Sequence, residues 1–174
     1  MSTLRINVAQ LRYGESGSES YYFSEHFPAL DVNGEEYVFQ EPVNVVLEAV
    51  NTGKSLFIKG NISSTLKVSC SRCLKEMPYK LNLQFEDEWI PIEYAKPGDE
   101  DSALIFEKDE FTIDDRIIEH ILVSLPMRFV CSEQCKGLCP ICGIDQNVST
   151  CTCSDEVIDP RLEILSKWNK GGVG

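Results

Sequence analysis

Eight cysteines are the residues of this chain whose type and spacing point most directly to a chemistry. Cysteine thiolates bind zinc, which takes four ligands in a tetrahedron. One Cys-x2-Cys pair is weak evidence for a metal site, but several close pairs in an intracellular chain favour metal over disulfide bonds. The pairs here are Cys70/Cys73, Cys131/Cys135, Cys139/Cys142 and Cys151/Cys153. The sequence therefore predicts zinc as the cofactor.

The spacing divides these cysteines into two sets, each sufficient for one tetrahedral ion. One set joins the early pair to the first two cysteines of the later run and consists of Cys70, Cys73, Cys131 and Cys135. The other is a compact loop and consists of Cys139, Cys142, Cys151 and Cys153. A single site with four spare thiols is the alternative, so the number of ions and the pairing of ligands stay open.

A zinc ion held by four thiolates has no open position for water or substrate, so such a site is structural rather than catalytic. The segment Cys139-Pro140-Ile141-Cys142-Gly143 has the form of a zinc knuckle. Two rivals use the same cysteines: an iron–sulfur cluster, and a dithiol redox site, which needs its first cysteine at a helix start. The sequence contains no other catalytic motif, and we expect no enzymatic activity.

Four basic residues lie close in sequence to the cysteines and can offset the negative charge of the thiolates. An alternative role for them is a small contact surface for RNA. They are Arg72, Lys75, Arg128 and Lys136.

The remaining charge is strongly acidic and unevenly distributed. The formal net charge is −12, and the stretch 86–119 carries thirteen acidic against three basic residues. A broad basic surface for phosphate backbones is absent, which excludes a general nucleic-acid binder. No apolar run is long enough to cross a membrane, and residues 1–14 lack a secretory signal. We expect a cytoplasmic protein with no membrane contact and no small-molecule substrate.

The elements that must position the cysteines begin with strands. Leu4, Ile6 and Val8 alternate with polar neighbours, and the pattern over residues 43–92 predicts an antiparallel meander with a hairpin turn at 51–54. The Cys70/Cys73 pair then falls at a turn between two strands. Residues 95–110 are predicted to form an acidic loop with an apolar patch at 104–106.

A helix is predicted near residues 113–125, with Thr112 as its N-cap and an apolar face at helical spacing. His120 lies with Arg116 and Ser124 on the other face, and we expect it to be solvated. A short terminal helix is predicted from Asp159. The fold class is α+β: an antiparallel sheet of about six strands, or a partly closed barrel, with one main helix, a cysteine zinc-knuckle segment and a short C-terminal helix. The predicted domains are a strand-rich domain at 1–130 and a cysteine-rich, zinc-binding segment at 131–174.

Four motifs in this order resemble the bacterial YceD family. They are Cys70-Ser71-Arg72-Cys73, the run from Cys135 to Gly143 (CKGLCPICG), Cys151-Thr152-Cys153, and Asp159-Pro160-Arg161-Leu162. The resemblance implies a role in accumulation of 23S ribosomal RNA, and hence in ribosome biogenesis, with no established enzymatic activity.

The resemblance and the charge together predict a non-enzymatic factor that binds a basic ribosomal or assembly protein through an acidic surface. The predicted docking residues are Asp99, Glu100 and Asp101. The alternatives are a direct RNA-binding zinc module, in which any rRNA contact is local, and a thiol redox protein. The identity of the partner, direct RNA contact, the oligomeric state and closure of the sheet into a barrel stay open.

Overall fold

The computed structural model describes residues 4–14, 17–32, 34–99 and 103–153. The chain divides into two compact units. The first consists of residues 1–69 and 76–129, and the second consists of Cys70–Lys75 together with the chain from Val130 onward. The domain boundary at 130–131 and the terminal helix from Asp159 stay predictions, and the helix lies outside the described residues.

The first unit contains nine strands and two helices within the described residues. In chain order they are β1 (Arg5–Asn7), α1 (Ala9–Tyr13), β2 (Ser18–Glu25), β3 (Leu30–Val32), β4 (Glu35–Phe39), β5 (Val43–Asn51), β6 (Leu56–Ser69), β7 (Glu76–Pro91), β8 (Leu104–Phe106), β9 (Glu110–Thr112) and α2 (Asp114–Ser124). Neither helix in this described part of the chain has the length and apolar composition needed to cross a lipid bilayer.

The predicted antiparallel meander is confirmed as β5, β6 and β7. Strand β6 pairs antiparallel with β5 over Leu56–Ser63 and with β7 along its whole length. The hairpin turn between β5 and β6 forms where it was predicted. Gly53 has a φ of 99°, and its N–H donates to Oδ1 of Asn51 at 2.7 Å. Glycine adopts a positive φ at little cost, and an asparagine side chain readily accepts a turn N–H two residues on, so both residues suit this turn.

The main sheet has the order β2-β5-β6-β4-β3, and β7 pairs with the other edge of β6. Strand β6 is long enough for β5 to cover one half of an edge and β4 the other half. With β8 the sheet has seven strands, more than the sequence predicted. No pairing among the described residues closes it into a barrel.

Part of the predicted loop at 95–110 is strand, and that part of the prediction is wrong. Its apolar patch forms β8, which pairs parallel with the end of β7, Trp89 being opposite Leu104. The N–H of Ile92 then donates to the carbonyl oxygen of Phe106 at 2.8 Å. The patch is recruited because β7 offers unpaired backbone groups along that edge, which a strand distant in sequence can satisfy.

One face of the sheet, one face of α2 and the segment around β1 supply the core of this unit, and from that segment Leu4, Ile6 and Val8 are fully buried. Alternate residues of the meander are buried because a strand sends successive side chains to opposite faces. The fully buried side chains of the meander include Val43, Val45, Ile62 and Leu66, and those of α2 are Ile117 and Ile121.

Thr112 is not the N-cap of α2, so that prediction is wrong. Thr112 pairs with Arg5 in a two-stranded sheet made of β1 and β9. The cap position is Ile113, which makes no side-chain cap bond. The carboxylate of Asp114 instead accepts the N–H of Leu4 at 3.0 Å, so this end of the helix is tied to the first strand.

His120 is not solvated, because the second face of α2 meets a buried carboxylate on β7. The side chain of Asp87 is only 4% exposed, and it accepts hydrogen bonds from Arg116 Nε at 3.0 Å and from His120 Nε2 at 2.8 Å. The His120 ring lies against Phe85 with centroids 4.7 Å apart. Burial opposes ionisation of Asp87, but the bonds from Arg116 and His120 outweigh it and lower the pKa of this carboxyl. The contact therefore attaches α2 to the sheet by charge as well as by apolar packing.

We expect Asp87→Asn to reduce the free energy of unfolding at pH 7 by about 2 kcal/mol, below the usual cost of breaking a fully buried pair because Arg116 is 31% exposed. The pKa of Asp87 is lower in the folded than in the unfolded chain, where it is about 3.9. Its stabilisation is therefore complete well above that value and is lost as the pH falls through the lower, folded pKa. Urea denaturation at pH 7 and near pH 3 measures both effects.

The matched control is Glu86→Gln, which removes an exposed carboxylate from the neighbouring position of β7. We expect it to change stability by less than about 0.5 kcal/mol at either pH. Equal losses of stability for the two variants at pH 7 would show that the buried carboxylate stabilises the fold no more than the exposed one does.

Candidate metal centres

The first Cys-x2-Cys pair forms a tight turn between β6 and β7, as the sequence predicted. The N–H of Leu74 donates to the carbonyl oxygen of Cys70, and the N–H of Cys70 donates to that of Lys75, both at 2.9 Å. Leu74 has a φ of 60°, which is costly for a residue with a side chain. This turn places the thiols of Cys70 and Cys73 on the same side of the backbone.

The Cys139/Cys142 pair forms the same turn with different residues. The N–H of Gly143 donates to the carbonyl oxygen of Cys139 at 2.9 Å, and the N–H of Cys139 donates to that of Ile144 at 2.8 Å. Gly143 occupies the position of Leu74 and has a φ of 73°. The shared geometry explains the glycine that follows Cys142, because a residue without Cβ adopts positive φ at little cost.

Four thiols converge in what we call site one: Cys70, Cys73, Cys131 and Cys135. Their sulfur atoms all lie within 4.8 Å of one another. The Sγ atoms of Cys70 and Cys135 are 3.9 Å apart, and those of Cys73 and Cys131 are 3.7 Å apart. A tetrahedral ion with metal–sulfur distances of about 2.3 Å requires sulfurs about 3.8 Å apart. A disulfide requires about 2.05 Å. The spacing of site one therefore fits a shared ion.

The other four thiols form site two: Cys139, Cys142, Cys151 and Cys153. Their sulfur atoms also lie within 4.8 Å of one another. Site two is more open than site one, since Cys142 and Cys153 are exposed whereas Cys70, Cys73 and Cys135 are buried. The structure thus brings the cysteines together in the two sets that the spacing predicted. That these residues are metal ligands stays a prediction.

Each site contains a thiol whose pKa is lowered well below its usual value. Burial opposes ionisation of Cys70, but N–H groups of Cys131, Cys73 and Arg72 point at its sulfur and lower its pKa to about 6. The N–H groups of Cys142 and Ile141 do the same for Cys139, whose pKa is also about 6. A nearby thiolate is stabilised because backbone N–H donors favour the charged form.

Each site also contains a thiol that resists ionisation. The pKa of Cys131 is raised to about 12, chiefly by its contact with Cys135, and that of Cys153 is raised to about 12, chiefly by Cys142. Negative sulfurs at this separation repel each other. A bound cation removes that repulsion, so metal binding must release protons. The donor set and its spacing fit a divalent, thiophilic ion.

Comparison with known proteins identifies the family. The profile described as "Large ribosomal RNA subunit accumulation protein YceD" matches residues 58–168, a range that contains all eight cysteines. The chain belongs to the YceD family. The resemblance seen in the sequence motifs is therefore confirmed, and the family's link to ribosomal RNA accumulation fits a role in ribosome biogenesis.

The chain is similar to bacterial proteins whose names state no function. The chain is 32% identical over 130 residues to the uncharacterized protein YlbN of Bacillus subtilis, a match that covers 74% of this chain and 75% of YlbN. An uncharacterized protein of Mycobacterium tuberculosis is 26% identical over 165 residues, which cover 92% of this chain and 78% of that protein. No solved structure is significantly similar to the chain.

Arg72 is bound to the backbone of site one in this YceD-family chain. Its Nη1 donates to the carbonyl oxygens of Glu133 at 3.0 Å and Cys135 at 2.9 Å. Its own carbonyl oxygen accepts the N–H of Leu138 at 3.0 Å. Of the four basic residues near the cysteines, Arg72 therefore has a structural role. Lys75, Arg128 and Lys136 are exposed, and an RNA contact by any of the four stays a prediction.

The acidic stretch is partly neutralised by arginines. Arg12 pairs with Glu93 and Asp109, each at 2.7 Å. Arg5 pairs with Glu110 at 3.3 Å, and Arg116 pairs with Glu119 as well as with Asp87. Exposed carboxylates of the stretch that have no ion pair among the described residues are Glu86, Glu88, Glu107 and Asp115.

Of the three predicted docking residues, the structure describes only Asp99. Asp99 is half-buried, and its Oδ2 accepts the N–H of Lys96 at 2.7 Å. Glu100 and Asp101 lie outside the described residues. Their role in partner binding stays a prediction.

The dithiol redox alternative lacks its structural requirement. Cys139 lies in a turn, and residues 130–153, all of which the structure describes, contain no helix. A catalytic dithiol needs its first cysteine at a helix N-terminus, where the dipole stabilises the thiolate. Here the low pKa of Cys139 comes from the turn's own N–H groups, as in a metal-binding turn.

Sequence reasoning missed Asn147 as part of site one. Its Nδ2 donates to the Sγ of Cys135 at 3.4 Å, and its Oδ1 accepts the N–H of Lys136 at 2.8 Å. Burial raises the pKa of Cys135, but the bond from Asn147 helps to bring it below its usual value. The signal available in the sequence was an asparagine within a turn-rich segment between two cysteine pairs.

Gly137 provides a test of how the loop of site one is packed. It has a φ of 76°, and a Cβ on it would lie 3.0 Å from the carbonyl oxygen of Arg72. Gly143 has a similar φ of 73° but open space around it. We expect Gly143→Ala to cost about 1 kcal/mol and Gly137→Ala about 2 kcal/mol, because the second adds a steric clash to the same backbone strain.

Hydrogen exchange at the amide of Leu138, which donates to Arg72, measures the free energy of local opening. Gly143→Ala is the matched control for backbone strain. An equal decrease in the free energy of local opening for the two variants would mean that the close approach of Gly137 to Arg72 does not affect stability.

Proposed function

We propose that this protein is a non-enzymatic factor in ribosome biogenesis that supports accumulation of 23S rRNA. In this proposal it holds two structural zinc ions and binds a basic ribosomal or assembly protein through its acidic surface. The observation that carries the proposal is membership of a family described by large-subunit ribosomal RNA accumulation.

The choice of zinc rests on the donors. Thiolates select soft or borderline ions over magnesium and calcium, and a tetrahedral set of four favours zinc. All four positions are then filled by protein, which leaves none for water or substrate. Zinc in sites one and two therefore stabilises the fold and takes no part in a reaction, which is why the proposal includes no enzymatic activity.

The choice of a basic protein partner rests on charge. The chain has a formal net charge of −12. Each loaded four-thiolate site adds about −2. Phosphate backbones are repelled by such a field, whereas a lysine- and arginine-rich surface is attracted to it. Glu86, Glu107 and Asp115 add exposed carboxylates to the predicted docking residues Asp99, Glu100 and Asp101.

Native mass spectrometry with elemental analysis tests the zinc content. We expect two zinc ions in the full chain and one in each of the variants Cys73→Ser and Cys153→Ser, because each removes one ligand from a different site. Ser71→Ala, between the ligands of the first turn, is the control and should retain two ions. A single zinc with four alkylatable thiols, or iron in place of zinc, contradicts this part of the proposal.

Binding assays with two probes test the partner. We expect the chain to bind proteins extracted from the large ribosomal subunit in a salt-sensitive manner and to bind protein-free 23S rRNA at least tenfold more weakly. The triple variant Asp99→Asn/Glu100→Gln/Asp101→Asn should weaken protein binding about tenfold, because it removes three charges from the docking surface.

The control for that variant removes three exposed charges elsewhere: Glu35→Gln/Glu36→Gln/Glu41→Gln. Equal weakening by the two triple variants would assign the effect to net charge and not to the predicted docking residues. Preferential binding of 23S rRNA, lost in Lys75→Gln/Lys136→Gln with zinc retained, would instead favour the direct RNA-binding module.

A further inference from the structure

Asn147 belongs to the chain segment of one site and contacts a ligand of the other. It lies between Cys142 and Cys151, which are both in site two. Its side chain reaches Cys135 of site one, to whose Sγ its Nδ2 donates at 3.4 Å. Its Oδ1 accepts the N–H of Lys136, the residue that follows that ligand, at 2.8 Å. One carboxamide therefore uses both its donor and its acceptor at site one.

The loop around Asn147 holds this carboxamide in place. Oδ1 of Asp145 accepts both the backbone N–H of Asn147, at 2.8 Å, and its Nδ2, at 2.7 Å. The N–H of Gln146 donates to the carbonyl oxygen of Gly137 at 3.0 Å. Asp145 and Leu138 also form a β-bridge. The loop is thus fixed against residues 136–138, which join the last ligand of site one to the first ligand of site two.

Both ends of this loop are ligands of site two, so an ion there closes it. Closing a loop removes conformational entropy that the loop otherwise retains, which restricts the positions open to Asn147. An N–H donor next to a metal-bound thiolate stabilises its negative charge and orients it, and loss of such a partner typically weakens metal binding about 10- to 100-fold.

We propose that Asn147 couples the two metal sites: an ion in site two orders the loop that presents Asn147 to Cys135, and site one then binds its own ion more tightly. This proposal rests on the proposed zinc binding and adds to it that the two ions bind with positive cooperativity. Linkage makes the effect reciprocal, so an ion in site one also favours binding in site two. Asn147 is a positioning residue in this scheme and is not itself a ligand.

A double-mutant cycle on the full chain tests the coupling. Zinc affinity of site one is measured by competition with a chromophoric chelator, and protection of Cys135 from alkylation assigns the signal to that site. The four proteins are the unaltered chain, Asn147→Ala, Cys151→Ser/Cys153→Ser, and the combination of the last two.

We expect Asn147→Ala to weaken zinc binding at site one about tenfold, and removal of the two cysteines of site two to weaken it by a similar factor. The combined variant should be no weaker than either alone, because both changes remove the same hydrogen bond. Val148→Ala, at the exposed neighbouring position, is the control and should leave the affinity unchanged.

Asn147→Asp separates a bond to the thiolate from a role in loop shape. It keeps an acceptor for the N–H of Lys136 but replaces the donor to Cys135 with a negatively charged group. We expect it to bind zinc at site one no better than Asn147→Ala does, because the carboxylate repels the thiolate. Full affinity in Asn147→Asp would overturn the proposed contact with sulfur.

The remaining outcomes distinguish this proposal from the one on which it rests. A zinc affinity of site one that is the same in the cycle variants as in the unaltered chain, or losses that multiply in the combined variant, would overturn the coupling alone. Failure of the unaltered chain to bind zinc at either site would overturn the proposed zinc function and the coupling together.

Discussion

Four sulfur atoms within 4.8 Å of one another cannot all carry negative charge unless a cation lies among them. This constraint applies twice in the second unit. Among the described residues of that unit, the buried apolar cluster consists of Cys70, Cys73 and Cys135, with Leu138 packed partly against them. A cluster of this size offsets little of the conformational entropy lost on folding, so under the proposed zinc binding the ions would supply much of the stability of these residues.

The first unit offsets the entropy lost on folding by apolar packing instead. Its meander was predictable because an alternating pattern decides which face of a strand is buried, and that pattern is local in sequence. The errors in the prediction all involve distant partners. Strand β8 has three residues and forms because β7 offers it an edge, and Thr112 is drawn from the helix cap into a strand by Arg5. His120 looked solvated because a helical wheel contains no information about Asp87, which lies on another element.

The candidate sites show the same division between local and distant information. The two sets of four cysteines were predictable because a Cys-x2-Cys turn brings its thiols together with a few backbone bonds, whichever fold surrounds it. The groups that support the thiols depend on loop conformation instead. Arg72 was assigned to charge balance, yet its guanidinium binds two carbonyl oxygens, and Asn147 reaches Cys135 across the intervening Cys139/Cys142 pair. Neither contact follows from spacing.

Charge counted along the sequence and charge available to a partner are different quantities in this chain. Arg5, Arg12 and Arg116 each hold carboxylates of the acidic stretch, so a partner cannot use those groups without breaking an existing pair. The long-range field depends on the net charge, which such pairs leave unchanged at −12. Metal binding makes this field more negative, because four thiolates carry more charge than one divalent ion neutralises. Under the proposed function, the zinc-loaded protein would therefore be better suited than the metal-free chain to steer a basic partner toward it, and less suited to approach an RNA backbone.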